Sequence, residues 1–159
     1  MTDRQQPVHV RMGELALGTA PDLLKATLGS CVGIAFVWKS RNLFALAHCL
    51  LPHAPGPGMP PGARYVDQAV QSLLLRLQAG PADYAQIEAH LAGGASMREG
   101  GTAGQRTPVV GALNVEAALQ LLQARGIAVH SQDTGGTCAR QIRVDCAEAS
   151  VSVARVSAP

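Results

Sequence analysis

Two residues of this chain have the chemistry of a nucleophile and its base. Cys31 sits in Thr27-Leu28-Gly29-Ser30-Cys31-Val32-Gly33, between small residues and an apolar run, and His48 sits in the similarly apolar stretch ALAHCLL. A thiol within hydrogen-bond reach of an imidazole can give up its proton to it, and the resulting thiolate is the nucleophile of cysteine hydrolases. The Gly29-Ser30 turn adds peptide N–H groups of the kind that stabilise a developing oxyanion. The competing reading is a packed thiol and a core histidine satisfied by a carbonyl, because unpaired cysteine is among the most buried residue types. Cys49, Cys138 and Cys146 fit that packing role. A metal site built from His48, Cys49 and His53 with Cys31 lacks CxxC or HExxH spacing, and neighbouring strand residues 48 and 49 point to opposite faces, so no metal is expected. His9, His90 and His130 carry no pattern that points to chemistry.

The elements that must bring Cys31 and His48 together are two apolar, β-prone runs, Cys31 to Trp38 and Phe44 to Leu51, joined by the polar turn Lys39-Ser40-Arg41-Asn42. An even-length hairpin loop pairs odd positions with even ones. If Lys39 pairs with Asn42, His48 lies opposite Gly33 and position 31 opposite position 50. Cys31 and His48 are then diagonal neighbours on one face, about 7–8 Å apart along the backbone. Gly33, without a side chain, leaves room between them for a substrate group or for the imidazole itself.

Around this hairpin, Val8 to Leu17 holds one or two short strands, and the Pro- and Gly-rich stretch from Pro52 to Gly62 is a long exposed loop. Val66, Ala69, Val70, Leu73, Leu74 and Leu77 form a helical stripe that ends before Gly80-Pro81. Ile87 to Leu91 alternates as a strand running into Gly93-Gly94, which shapes a pocket wall or a plain turn. Arg98 to Thr107 has the composition of a mobile loop. Asn114 is placed to cap a second helix that stops at Gly126. Strands follow at 127–130, 141–145 and 150–156, the last two forming a hairpin. The order predicts one α+β domain spanning residues 1–159, a layered sandwich of mostly antiparallel sheet with helices on the outside.

Composition narrows the partners. The chain has 159 residues, a net charge of +2 and 3% aromatic residues, so it offers neither a basic track nor a stacking platform for nucleic acid. No stretch approaches the roughly 20 apolar residues of a membrane span, and the first residues lack a signal-peptide core. A cytoplasmic protein with reduced cysteines is expected.

The succession TLGSCVGIAF, ALAHCLLP, ARYVDQAVQSLLLRL, IEAHLAGGASM, VVGALNVEAALQLL and DTGGTCARQIRV resembles the CheD family of chemoreceptor glutamine deamidases over roughly residues 8 to 156. The resemblance implies Cys31 as nucleophile and His48 as general base, with Gly29, Ser30, Gly33, Gly93 and Gly94 around the substrate or oxyanion. It implies a fold similar to that of toxin-type cysteine deamidases, and no cofactor. Its substrates would be glutamines on the cytoplasmic helices of methyl-accepting chemotaxis receptors, converted to glutamate through a thioester. A CheC-type phosphatase would be a further partner, and a poorly active docking module of the same fold is the alternative. The family pattern places an orienting threonine five or six residues before the nucleophile. Here Lys25 and Ala26 hold those places, so the role falls to Thr27 or to a backbone carbonyl. Ala139 stands where the family pattern has glycine, and Leu113 where it usually has arginine.

Overall fold

The computed structural model describes residues 7–96 and 109–156. The stretch from Arg98 to Thr107 read above as a loop lies outside them. Among the described residues the regular elements are β1 Pro7–His9, β2 Leu15–Gly18, β3 Leu23–Leu28, β4 Val32–Trp38, β5 Leu43–Cys49, α1 Val66–Arg76, β6 Glu88–Gly93, α2 Val110–Arg125, β7 Ala128–Thr134, β8 Arg140–Asp145 and β9 Ser150–Arg155. Short 3-10 turns at Lys39–Arg41 and Pro81–Gln86 complete them. The strands form two sheets, ordered β1-β3-β8-β9 and β2-β5-β4-β6-β7. Pairing is antiparallel except for β1 with β3 and β6 with β7. The parallel β6/β7 pair needs a crossover, and α2 supplies it.

Three layers result. One apolar cluster joins the five-stranded sheet to α1 and α2 through Ile34, Phe36, Trp38, Ala47, Leu73 and Leu122. A second joins the two sheets through Leu24, Leu28, Val37, Phe44, Leu46 and Ile142. The central strands β4 and β5 are therefore covered on both faces. This is why CVGIAFVW and FALAHCLL read as continuous apolar runs rather than alternating ones.

The hairpin register agrees with the sequence reading: Gly33 pairs with His48 and Trp38 with Leu43, with Asn42 taking the left-handed conformation at φ 51°. Three features differ. β3 has no counterpart in the sequence reading, because LLKATL carries no strong strand pattern and owes its place to pairing along β8. α2 begins at Val110, about one turn earlier than expected, so Asn114 lies inside the helix and does not cap it. The 52–62 loop is largely exposed, as expected, but α1 holds it: the Ala54 N–H donates to Asp67 (3.0 Å), the Gly62 N–H to Ser72 Oγ (3.0 Å), and Gln68 Nε2 to the Pro60 carbonyl (2.7 Å).

Leu73 is fully buried in the same cluster as Trp38, the chain's single tryptophan. Leu73→Ala leaves a cavity that rigid neighbours fill only in part, which costs about 2–5 kcal/mol. Urea unfolding followed by Trp38 fluorescence is the measurement, and a loss below about 1 kcal/mol would mean that the helix layer collapses onto the sheet without strain.

Candidate active site

The site lies where β4 begins and β5 ends. Along β5 the side chains alternate: Ala45, Ala47 and Cys49 face the helices, whereas Phe44 and Leu46 face the second sheet. His48 follows the latter series. Cys31, one residue before β4, also packs against the inter-sheet cluster. Both side chains therefore lie toward the inter-sheet layer, with Cys31 Sγ not among the hydrogen-bond partners of His48. His48 is 4% exposed, and Cys31 is partly exposed at the rim.

His48 Nδ1 lies 3.0 Å from the carbonyl oxygen of Val10. A carbonyl only accepts, so Nδ1 carries the proton and Nε2 keeps its lone pair. Nε2 is buried and has no hydrogen-bond partner among the described residues. Burial lowers the His48 pKa from its ordinary value of 6.5, outweighing the Val10 carbonyl and the Glu14 charge, which raise it. Burial also raises the Cys31 thiol, partly offset by its own peptide N–H, which favours the thiolate. Both shifts favour a neutral thiol and a neutral imidazole. Cys49, on the helix-facing side of β5, is fully buried and its thiol is pushed up, chiefly by desolvation.

Thr27 stands elsewhere. In β3, Leu24, Ala26 and Leu28 are buried and Thr27 is exposed, paired with Gln141 of β8. The bond to the imidazole comes from the Val10 carbonyl, which the β1 and β3 strands hold in place: the Val10 N–H donates to the Lys25 carbonyl at 2.7 Å. Gly33 does leave room, but Leu28 Cδ1 and Ile142 Cγ2 fill it, at 2.9 and 3.3 Å from where a Cβ would stand.

The turn before Cys31 is fixed from outside. Gly94 N–H donates to the Cys31 carbonyl (2.8 Å) and Ala95 N–H to the Gly29 carbonyl (3.0 Å). Asn114 Nδ2 donates to the carbonyls of Ser30 (3.2 Å) and Leu50 (2.9 Å). The Gly29, Ser30 and Cys31 N–H groups make no backbone hydrogen bond among the described residues. Gly93 lies against the Cys31 carbonyl at φ 103°, leaving no space for a Cβ. Behind it, buried Arg140 bonds Asp133 (2.9 Å) and reaches the Gly93 carbonyl (3.4 Å). Sequence reasoning missed Val10, Asn114 and Arg140. Val10 acts through its backbone and leaves no signature. No group of His, Cys, Asp or Glu among the described residues has the geometry of a metal site, and no described helix is long and apolar enough to cross a membrane.

Comparison with known proteins gives one consistent result. A family model described as CheD chemotactic sensory transduction matches residues 50–155, a span that begins after Cys31 and His48. A "Probable chemoreceptor glutamine deamidase CheD" from Bdellovibrio bacteriovorus is 39% identical over 136 residues, 86% of each chain. Proteins of the same name from Methanococcus vannielii and Geobacillus kaustophilus are 32% identical over 146 residues and 33% over 140. These alignments cover 92% of this chain and 93% of the first relative, and 86% and 85% for the second.

Gly93→Ala combines a left-handed backbone with a collision against the Cys31 carbonyl and should destabilise by more than about 1 kcal/mol while displacing the turn before Cys31. Urea unfolding gives the first quantity. A variant as stable as wild type would show that the turn can move away freely.

Proposed function

The chain belongs to the CheD family, and from that premise we propose that it is a protein-glutamine deamidase acting on chemoreceptors through a Cys31 thioester. The observation that carries the mechanism is the bare, buried Nε2 of His48, its ring fixed by Val10 on the face it shares with Cys31. A neutral imidazole held in one tautomer with its lone pair unengaged is what a general base requires.

Because the resting thiol is neutral, proton transfer accompanies attack. His48 Nε2 takes the Sγ proton as sulfur bonds to the carboxamide carbon of a receptor glutamine, and the carbonyl electron pair moves onto oxygen. The peptide N–H groups of the turn before Cys31, which make no backbone hydrogen bond among the described residues, are the candidate donors to that oxyanion. When the tetrahedral centre collapses, the C–N bond breaks and ammonia leaves with the proton from Nε2, giving the thioester. Water then gives a proton to Nε2 and its oxygen to the acyl carbon. The C–S bond breaks, sulfur recovers the proton, and glutamate is released. No cofactor enters these steps. Acid–base help of this kind is worth about 10²–10⁴-fold.

The test is mass spectrometry of recombinant chemoreceptor cytoplasmic helices before and after incubation, with Cys31→Ala alongside. Conversion adds about one dalton at particular glutamines in the wild-type reaction and none in the variant. Thr27→Ala belongs in the same series. Its side chain is exposed and the imidazole is oriented by Val10, so turnover should stay within about twofold of wild type. Receptor glutamines left unchanged by the wild-type chain would overturn the proposal.

The pH profile follows from the burial of His48. Protonation at Nε2 removes the base, and burial disfavours the protonated form, so activity persists down to the ordinary histidine value and falls only below it. The acid limb of kcat/KM should have its midpoint below 6.5. A midpoint at or above about 7 would mean that burial does not disfavour the imidazolium, and would overturn the reading of His48 as a base kept neutral by desolvation.

A further inference from the structure

Asn114 is 0% exposed on a helix otherwise packed through Gly111, Ala117, Ala118 and Leu122. Burying an amide is costly unless its polar atoms are paired, and here one of them is not: Oδ1 has no partner among the described residues. The orientation of the amide is nevertheless unambiguous, because both groups it meets are carbonyls and only the NH₂ end can donate to them. One is Ser30, next to the nucleophile. The other is Leu50, two residues beyond His48.

In a planar trans peptide the C=O and the following N–H point in opposite directions. Holding the Ser30 carbonyl therefore fixes the direction of the Cys31 N–H. The neighbouring peptides are held by the Gly94 and Ala95 backbone donors, which survive any change of side chain there. Only the middle peptide, the one ending in the nucleophile's own N–H, depends on a side chain. We infer that Asn114 is a positioning residue of the deamidation site, tying the Ser30–Cys31 peptide to the end of the histidine strand and aiming the Cys31 N–H at the atom that gains negative charge. Donation to the Ser30 carbonyl also polarises that peptide and strengthens its N–H as a donor. An apolar residue would satisfy packing but take the donor away from two part-buried carbonyls, and aspartate would set oxygens against both. The inference rests on Cys31 being the nucleophile, which its test examines separately.

Asn114→Ala is compared with Leu122→Ala, a core change on the same helix facing the central sheet. Two readouts are taken: kcat and KM on receptor cytoplasmic helices, and the rate of Cys31 alkylation by iodoacetamide from about pH 6 to 10, followed on the Cys31 peptide by mass spectrometry. The second needs no receptor. Asn114→Ala should lower kcat about ten- to hundredfold with KM within about twofold. Its alkylation inflection should move upward by about half a unit or more, because the thiolate loses an aligned N–H. Leu122→Ala should lower Tm and move neither. An alkylation profile unchanged in Asn114→Ala with kcat within twofold of wild type, or an equal change in Leu122→Ala, overturns the inference. If Asn114→Ala does not fold, hydrogen exchange of the Asn114 side-chain amide in the wild-type chain decides: slow exchange of both protons supports the clamp, and exchange at the rate of an exposed amide refutes it. A shifted alkylation profile in an enzyme that leaves every receptor glutamine intact supports the clamp while refuting the deamidase reading.

Discussion

Burial of β4 and β5 on both faces is the constraint from which the rest of the structure follows. Helices cover one side of these strands and a second sheet the other. Almost every side chain on them must then be apolar, and any polar one must find its partner inside the protein. His48 is that polar side chain, and its partner can only come from the facing sheet or the strand ends. The Val10 carbonyl, held by β3, is where the facing sheet supplies it. The packing that stabilises the fold thereby also selects the imidazole tautomer.

The same burial sets the electrostatics. Desolvation penalises thiolate and imidazolium alike, raising one group and lowering the other. An ion pair at rest would have to overcome both penalties at once, so the neutral pair is favoured. In the deamidation proposed above, charge develops only on attack, so the orientation of the turn before Cys31 matters as much as the identity of the cysteine.

How much of this was legible in the sequence depends on whether side chains or backbone carry it. The hairpin register was readable, because loop parity and a period of two place Gly33 opposite His48 whatever surrounds them. The stripe of α1 was readable for the same reason at a period of 3.6. β3 was not, since LLKATL becomes a strand through its neighbours β1 and β8. Its register turns Thr27 to solvent, which no local pattern announces. The Val10 carbonyl could not be read at all, because every residue has one. Asn114 stands out by its type, but that type points to a helix cap, because asparagine is common at helix starts. Only the tertiary contact reveals that its amide is engaged with Ser30 and Leu50.

The site is consequently a junction of all three layers and not a feature of the hairpin alone. The outer sheet contributes Val10 to His48 and Arg140 to Gly93; the central sheet contributes Gly94 and Ala95 to the turn before Cys31; the helix layer contributes Asn114 to both strand ends. Each tether meets the backbone or ring of a residue beside the reacting atoms, and each comes from a different part of the chain. A hairpin carrying the same cysteine and histidine without these layers would keep the register but lose the tautomer, the desolvation and the aligned N–H groups. The proposed pair is therefore specified by two residues, whereas the tautomer and desolvation that the proposal relies on come from the packing of all three layers around them.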